Sequence, residues 1–155
     1  MRQIYECPIL GYWNIRGLAA GIRYNLEYCG VNYKMEVYEQ GDAPDFSRQS
    51  WFDKKFTMGL EFPNLPYLID GKYKLTETLA IHHYIADKWN KALLGRDPAE
   101  RAKVMMICQV LKELNKGCVG PCYGSGDKND IKKAYEEQLP PILKEMGTKK
   151  FLAGD

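Results

Sequence analysis

With 155 residues, 45% of them apolar and 27% charged, the chain has enough hydrophobic material for a packed core and is too apolar to stay disordered. Its formal net charge of +2 arises from acids and bases mixed along the sequence, which leaves no electrostatic footprint for nucleic acid or a membrane surface. No apolar run is long enough to span a bilayer and Met1-Arg2-Gln3 does not open a signal peptide. Five cysteines without a disulfide-scaffold spacing suit reduced thiols in a cytoplasmic protein.

Pro8 to Trp13 is an apolar run of strand length, followed by a loop over Asn14 to Gly17. Leu18 to Cys29 is expected to be a helix, since Leu18, Ile22, Leu26 and Cys29 fall on one face and Gly30 is a suitable stop. Tyr33 to Tyr38 alternates apolar with charged residues, as a strand does. Strand, helix and strand in this order make a βαβ unit with its strands parallel. Gln40 to Ser50 is polar, contains Gly41 and Pro44, and is expected to be a long surface loop. Phe62 to Leu65 then leads extended into Pro66, which biases Leu65 away from the helical region. Tyr67 to Ile69 and Tyr73 to Leu75 are expected to pair across a turn at Asp70-Gly71, and Thr76 to cap a helix carrying Ile81, Tyr84, Ile85 and Trp89.

This first domain is expected to span 1–88, with a linker over 89–96 and a helical region over 97–155. Asp97-Pro98-Ala99-Glu100 is a strong helix start, with a cap, a proline at the first position and an acid at the third. Val104, Cys108, Leu111 and Cys118, with Ile107 and Leu114 beside them, form an apolar stripe that Gly117, Gly120 and Pro121 should bend or end. Gly124-Ser125-Gly126 is a flexible joint, and Ile131, Tyr135, Leu139, Ile142 and Met146 mark a further helix, kinked at Pro140-Pro141.

The hairpin and the helix after it suggest chemistry. A helix start presents free N–H groups and partial positive charge, which suits a carboxylate, and the backbone before Pro66 can pair with an extended ligand. Together they describe a cradle for a small acidic peptide; an ordinary hairpin and helix without a ligand fits the spacing as well. His82 and His83 are about 100° apart on a helix and cannot share a metal face, so they suit solvated or interface positions. Cys118 and Cys122 are one turn apart with no second ligand pair, so no zinc site, and no metal at all, is expected. Phosphate-binding loops and nucleophile elbows are absent from the sequence. In a thioredoxin-like arrangement a redox C-x-x-C would follow the first strand, where this chain has Tyr12-Trp13-Asn14-Ile15. Disulfide exchange is therefore disfavoured. Tyr12 is either a tyrosine packed at a strand end or a hydroxyl donor to a ligand's sulfur.

Long motifs carry a resemblance. Pro8-Ile9-Leu10-Gly11-Tyr12-Trp13-Asn14-Ile15-Arg16-Gly17-Leu18, Gly41-Asp42-Ala43-Pro44-Asp45, Trp51-Phe52-Asp53-Lys54-Lys55-Phe56 and the stretch from Gly59 to Gly71 resemble the front part of a cytosolic glutathione transferase of the mu class. The similarity is looser beyond residue 90, through Glu100-Arg101, Cys122-Tyr123, Leu139-Pro140 and Phe151-Leu152. The resemblance implies an α/β thioredoxin-like domain followed by an all-α domain, here partial, in a cytoplasmic homodimer. It implies glutathione as co-substrate and the conjugation of its thiolate to hydrophobic electrophiles, a detoxification reaction. Tyr12 would donate a hydrogen bond to the glutathione sulfur. Trp13, Leu18, Arg48, Trp51 and Lys55 would line the glycyl and cysteinyl portions, and Asn64 and Leu65, before a cis Pro66, would pair with the peptide backbone. Glu77 and Thr78 would hold the γ-glutamyl end, Glu113 would reach it from a partner subunit, and Tyr123 would face the electrophile.

Departures accompany the match. Glu77-Thr78 stands where the mu class has Gln-Ser, Glu113 where it has Asp, and His82-His83 where it has Leu-Arg. The family also continues beyond the position of Asp155, so these residues are expected to be a truncated version of a longer protein, or a chain that covers its apolar stripes through an unusual dimer. A glutathione-binding protein without turnover is the alternative function, and a glutaredoxin-type oxidoreductase would need a cysteine near Tyr12.

Overall fold

The computed structural model describes residues 7–124 and 126–153. The chain divides into two compact units, one ending at Leu93 and the other beginning at Leu94. The first unit is a four-stranded sheet with three helices: β1 (Ile9–Trp13), α1 (Ala19–Tyr28), β2 (Lys34–Tyr38), α2 (Gln49–Lys55), β3 (Tyr67–Asp70), β4 (Tyr73–Thr76) and α3 (Thr78–Trp89). The strand order is β2-β1-β3-β4. β1 and β2 are parallel, as the βαβ order requires, and β3 runs antiparallel to both β1 and β4. This is a thioredoxin-like mixed sheet.

Strand alternation sorts the two faces. Leu10 pairs with Met35 and with Leu68, which pairs with Leu75, and this row faces the side where α3 lies. Tyr84 of α3 donates to Asp70 Oδ2 at 2.7 Å and Lys88 also bonds that oxygen, which ties the helix to the end of β3. Ile22 and Leu26 of α1 and Ile81 and Ile85 of α3 are fully buried with Leu10 and Leu68. Each such side chain contributes roughly 1.5–3 kcal/mol to the stability of the unit.

The next row, Glu36–Gly11–Tyr67–Thr76, faces α2. Here the Tyr67 ring crosses β1 at Gly11, and a Cβ on Gly11 would lie 2.0 Å from Tyr67 Cζ. Having crossed, Tyr67 donates to Glu36 Oε2 at 2.9 Å and shares a 2.8 Å hydrogen bond with the Tyr38 hydroxyl. Lys54 of α2 closes the network on Glu36 at 2.7 Å. That bond, followed by the one from Tyr67, holds the Glu36 carboxyl below the ordinary carboxylate range despite partial burial. Burial and the bonds to Tyr38 and Glu36 push the Tyr67 hydroxyl far up, so it is a neutral donor at any working pH.

Several local expectations are corrected. The stretch expected as a loop to Ser50 already contains the first turn of α2, because Trp51 has a core to enter: it is buried and stacks on Tyr67 with ring centroids 6.0 Å apart. The hairpin turn is one residue later than expected. Asp70 pairs with Tyr73, Gly71-Lys72 forms the turn, and Gly71 takes φ 58°, the positive value required at the first position of a type II′ turn. Thr76 is the last residue of β4, not a cap; Glu77 takes the cap position of α3 at φ 67° and ψ 116°, without a side-chain capping bond.

Of the solvated and interface positions expected for the two histidines, His82 takes the interface one. It is half-buried between α1 and α3, where Asn25 Nδ2 lies 3.2 Å from its Nδ1 and 3.3 Å from its carbonyl oxygen. Gly21 makes the room, since a Cβ there would come within 3.2 Å of His82 Nε2. Donation from Asn25 makes Nδ1 an acceptor and places the imidazole proton on Nε2. Burial lowers the His82 pKa. The unfolded chain therefore binds the proton more readily, and the stability from neutral His82 is complete above about pH 6.5 and is lost as pH falls through the folded pKa. Denaturation midpoints for wild type and His82→Gln are expected to diverge between about pH 7 and 5, with wild type losing more. Parallel curves would exclude His82 as the sensitive group.

The second unit contains α4 (Pro98–Tyr123) and α5 (Lys128–Met146), which pack against each other. Asp97 caps α4 by accepting the Glu100 N–H at 2.9 Å, with Pro98 at the first position, as expected. α4 continues through Gly117 and Gly120. Gly117 is instead a point of close approach, where a Cβ would meet Ala134 Cβ at 3.2 Å and Gln138 Nε2 at 3.1 Å on α5. α4 ends two residues after Pro121, and α5 runs through Pro140 and Pro141 as one helix. Ser125 of the expected joint lies outside the described residues. Neither helix has a fully buried residue, and Met105, Met106, Val110, Leu111, Tyr135 and Leu143 are exposed.

Candidate functional site

The end of β1 and the loop behind it form the centre of the site. Tyr12 is buried on β1, and its hydroxyl accepts the Leu18 N–H at 3.1 Å at the entrance to α1. Gly17, at φ 38°, lies against the phenol so closely that a Cβ would fall 2.6 Å from the hydroxyl oxygen. Glycine is thus needed there for both its backbone angle and its lack of a side chain. Because the Tyr12 oxygen accepts from Leu18, the phenolic hydrogen remains to be donated, and the accepted bond polarises it toward donation.

Around this centre the sequence candidates divide by position. Tyr12, Trp51 and Leu65 belong to the buried cluster of the first unit, with Trp13 packed against it. Trp13 meets the Tyr38 ring edge-on at 6.3 Å, and Tyr38 meets Trp51 at 5.2 Å. Leu18 is half exposed, and Arg48 and Lys55 are on α2 or at its start. Arg48 lies over the Phe52 ring at 5.8 Å, while Lys55 lies over Phe52 at 5.7 Å and Phe56 at 5.3 Å. Adjacent Lys54 is committed to Glu36, so of these two lysines Lys55 is the one with its charge uncommitted by an ion pair among the described residues.

The Leu65–Pro66 peptide is cis, as the resemblance implies, and so is Ala43–Pro44. Asn64 Oδ1 accepts the Leu65 N–H at 2.9 Å, so this donor is engaged within the chain. Glu77 is exposed in a conformation that costs a non-glycine residue about 1–3 kcal/mol, and Thr78 opens α3. The first-turn N–H groups of α3, uncapped by any side chain, offer the partial positive charge that suits a carboxylate. Glu113 and Tyr123 are both exposed on α4 of the second unit. Sequence reasoning did not single out Gly11, Gly17 or the Glu36–Tyr67–Tyr38 network. A glycine inside a strand run, as Gly11 is, is the signal of close approach by another group. Among the described residues no cluster of three or more His, Cys, Asp or Glu could hold a metal.

A family model described as the N-terminal domain of glutathione S-transferase matches residues 8–87. The chain belongs to the glutathione S-transferase family. Within the family, glutathione S-transferase Mu 4 of Mus musculus is 46% identical over 135 residues, covering 87% of this chain and 61% of that protein. Glutathione S-transferase Mu 1 of Bos taurus is 42% identical over 151 residues, covering 95% and 68%. The crystal structure of the glutathione S-transferase Blo t 8 superposes with a TM-score of 0.74 at 29% identity, over 95% of this chain and 68% of that one. The chain thus spans about three fifths of the length of the murine relative. The family match encloses β1 through most of α3, and so includes Tyr12, Trp51, Pro66 and Thr78. No helix among the described residues is long and apolar enough to cross a membrane.

Proposed function

We propose that the chain supplies the glutathione-binding half of a cytoplasmic, homodimeric glutathione transferase that conjugates glutathione to hydrophobic electrophiles in detoxification. The observation that carries this reading is the Tyr12 hydroxyl, fixed by the Leu18 N–H with its own hydrogen left to donate. A free thiol has a pKa of about 8.5, so only a few per cent is ionised at neutral pH. One hydrogen bond to the thiolate is worth roughly 1.5–3 kcal/mol, or about one to two pKa units, which at the upper end makes the nucleophilic form predominate at neutral pH.

The remaining roles are proposed on the same footing. Trp13, Leu18, Arg48, Trp51 and Lys55 flank the glycyl and cysteinyl portions, Asn64 and Leu65 pair with the peptide backbone before Pro66 once the ligand replaces the Asn64 Oδ1 bond to the Leu65 N–H, and Thr78 with the α3 N-terminus holds the γ-glutamyl carboxylate. Glu77 pairs with the ammonium group, an assignment its exposure permits. Glu113 of a partner subunit and Tyr123 complete the site from the helical region, and the domain bounds are 1–88, 89–96 and 97–155. No metal enters the chemistry proposed. Incubation with glutathione and a chromogenic aryl halide tests the function: the conjugate should form at a rate proportional to protein. Tight glutathione binding with no conjugate would instead favour the binding protein without turnover.

Lys55 offers a separate test of the binding half. Lys55→Ala is expected to weaken glutathione binding by about 1–3 kcal/mol through loss of a charge-assisted bond to a carboxylate. The fold should be spared, because Lys55 contributes only ring contacts to the two phenylalanines. Wild-type affinity by calorimetry would remove Lys55 from the site.

A further inference from the structure

α2 is too short to hold itself in place. A helix of seven residues is marginal without tertiary support, and its start has neither a side-chain capping bond nor an acid in the first turn. Phe52, and Phe56 just beyond its end, are exposed and bury little. Among the described residues, the polar and ring contacts that join α2 to β2, β3 and the residue after β2 come from three side chains. Trp51 is buried against Tyr38 and Tyr67. Ser50 donates to the Glu39 carbonyl at 2.6 Å. Lys54 meets Glu36 Oε1 at 2.7 Å and lies over the Tyr38 ring at 5.6 Å.

The third attachment is a charge pair whose acid is itself fixed. Glu36 pairs with Gly11 in the sheet, and its other oxygen accepts the Tyr67 hydroxyl at 2.9 Å, which Tyr38 holds in turn at 2.8 Å. One oriented carboxylate oxygen is thereby presented to α2. Adjacent helical residues point about 100° apart, so seating Lys54 on Glu36 turns Lys55 away from it. Arg48, Trp51 and Lys55 all depend on this helix for their positions. Docking α2 sets three attachments against the conformational entropy of seven residues, a balance that one attachment can tip. When fewer chains have the helix docked, the apparent affinity of a ligand that needs it falls in proportion.

We propose that Glu36 and Lys54 are positioning residues for glutathione: their ion pair holds α2 on the sheet, and with it Arg48, Trp51 and Lys55. Their role presupposes the glutathione site proposed above. Charge reversal tests it in the whole chain, with glutathione affinity read by calorimetry and α2 docking by hydrogen exchange of residues 49–55 without ligand. Lys54→Glu and Glu36→Lys each place like charges together, and each should weaken glutathione about tenfold and speed exchange in 49–55. Lys54→Met, which removes one charge without adding another, should weaken it about threefold. The direction for Glu36→Lys is decisive, because extra positive charge acting only at long range would tighten the binding of an anionic peptide. The double variant Glu36→Lys/Lys54→Glu should recover to within about threefold of wild type, since the Tyr67 hydroxyl can accept as well as donate. Exchange in β1 and α3 should stay at the wild-type rate in the Lys54 variants, whose side chain is exposed. Wild-type or tighter affinity in Glu36→Lys, a double variant no better than the singles, or faster exchange spread evenly over the sheet would overturn the proposal. Absence of glutathione binding by wild type would overturn the transferase reading instead, and exchange in 49–55 would still decide whether the pair holds α2.

Discussion

Gly11→Ala is expected to destabilise the first unit by about 3–5 kcal/mol, enough to leave much of it unfolded at room temperature. The added Cβ would fall 2.0–2.6 Å from three carbons of the Tyr67 ring. The ring cannot retreat, because it is wholly buried, stacked on Trp51 and bonded to both Glu36 and Tyr38. Any relaxation must therefore break that network or push β1 from β3, and overpacking adds to the loss of the hydrogen bonds. Denaturant midpoints measure the effect. A double-mutant cycle attributes it: in a Tyr67→Leu background, which removes the crossing ring, Gly11→Ala should cost about 1 kcal/mol or less. Equal costs in both backgrounds would show that the crossing is not what the glycine serves.

Tyr12→Phe is expected to raise the pKa of glutathione's bound thiol by about one to two units, which lowers the thiolate fraction at neutral pH by roughly eight- to twenty-fivefold. Glutathione affinity should change little, since the peptide's carboxylates and backbone are held by other residues. A smaller second effect follows from the geometry: Leu18 N–H loses its acceptor at 3.1 Å, so the variant should also be about 1 kcal/mol less stable. Ultraviolet titration of the bound thiolate reads the first effect and a denaturation curve the second. A bound-thiol pKa equal to that of wild type would take Tyr12 out of the mechanism, whatever the stability change.

Much of the site is local in sequence, and that part was readable. The strand of Pro8 to Trp13, the capped start at Asp97-Pro98 and the extended approach to Pro66 each depend on the residue's own backbone preferences or on partners within a turn. The long motifs around Tyr12, Trp51 and Pro66 pointed to the family because they are contiguous and specific. What escaped was set by partners distant in the chain. A helix at Gln49–Lys55 has little propensity signal, and forms where Trp51 can bury itself against Tyr38 and Tyr67. Thr76 has a good capping side chain, yet pairing with Tyr67 draws it into β4 and moves the helix start to Glu77.

Composition and pattern by themselves determined a cored, mixed α/β chain with two parallel strands, a hairpin and a helical second part, because periodicity and turn residues encode their own short-range energetics. Tertiary structure alone decided which glycines are indispensable and which charges are spent. Gly11 and Gly17 look like any others until the Tyr67 ring and the Tyr12 hydroxyl occupy the space a side chain would fill. Lys54 and Lys55 are equivalent neighbours until Glu36 of β2 claims the first and leaves the second over two phenylalanine rings. His82 changes from a polar helix residue to a neutral, half-buried acceptor only when Asn25 on α1 comes alongside. In each case the deciding energy is a close contact or a hydrogen bond between segments separated in the chain, and no local rule contains it.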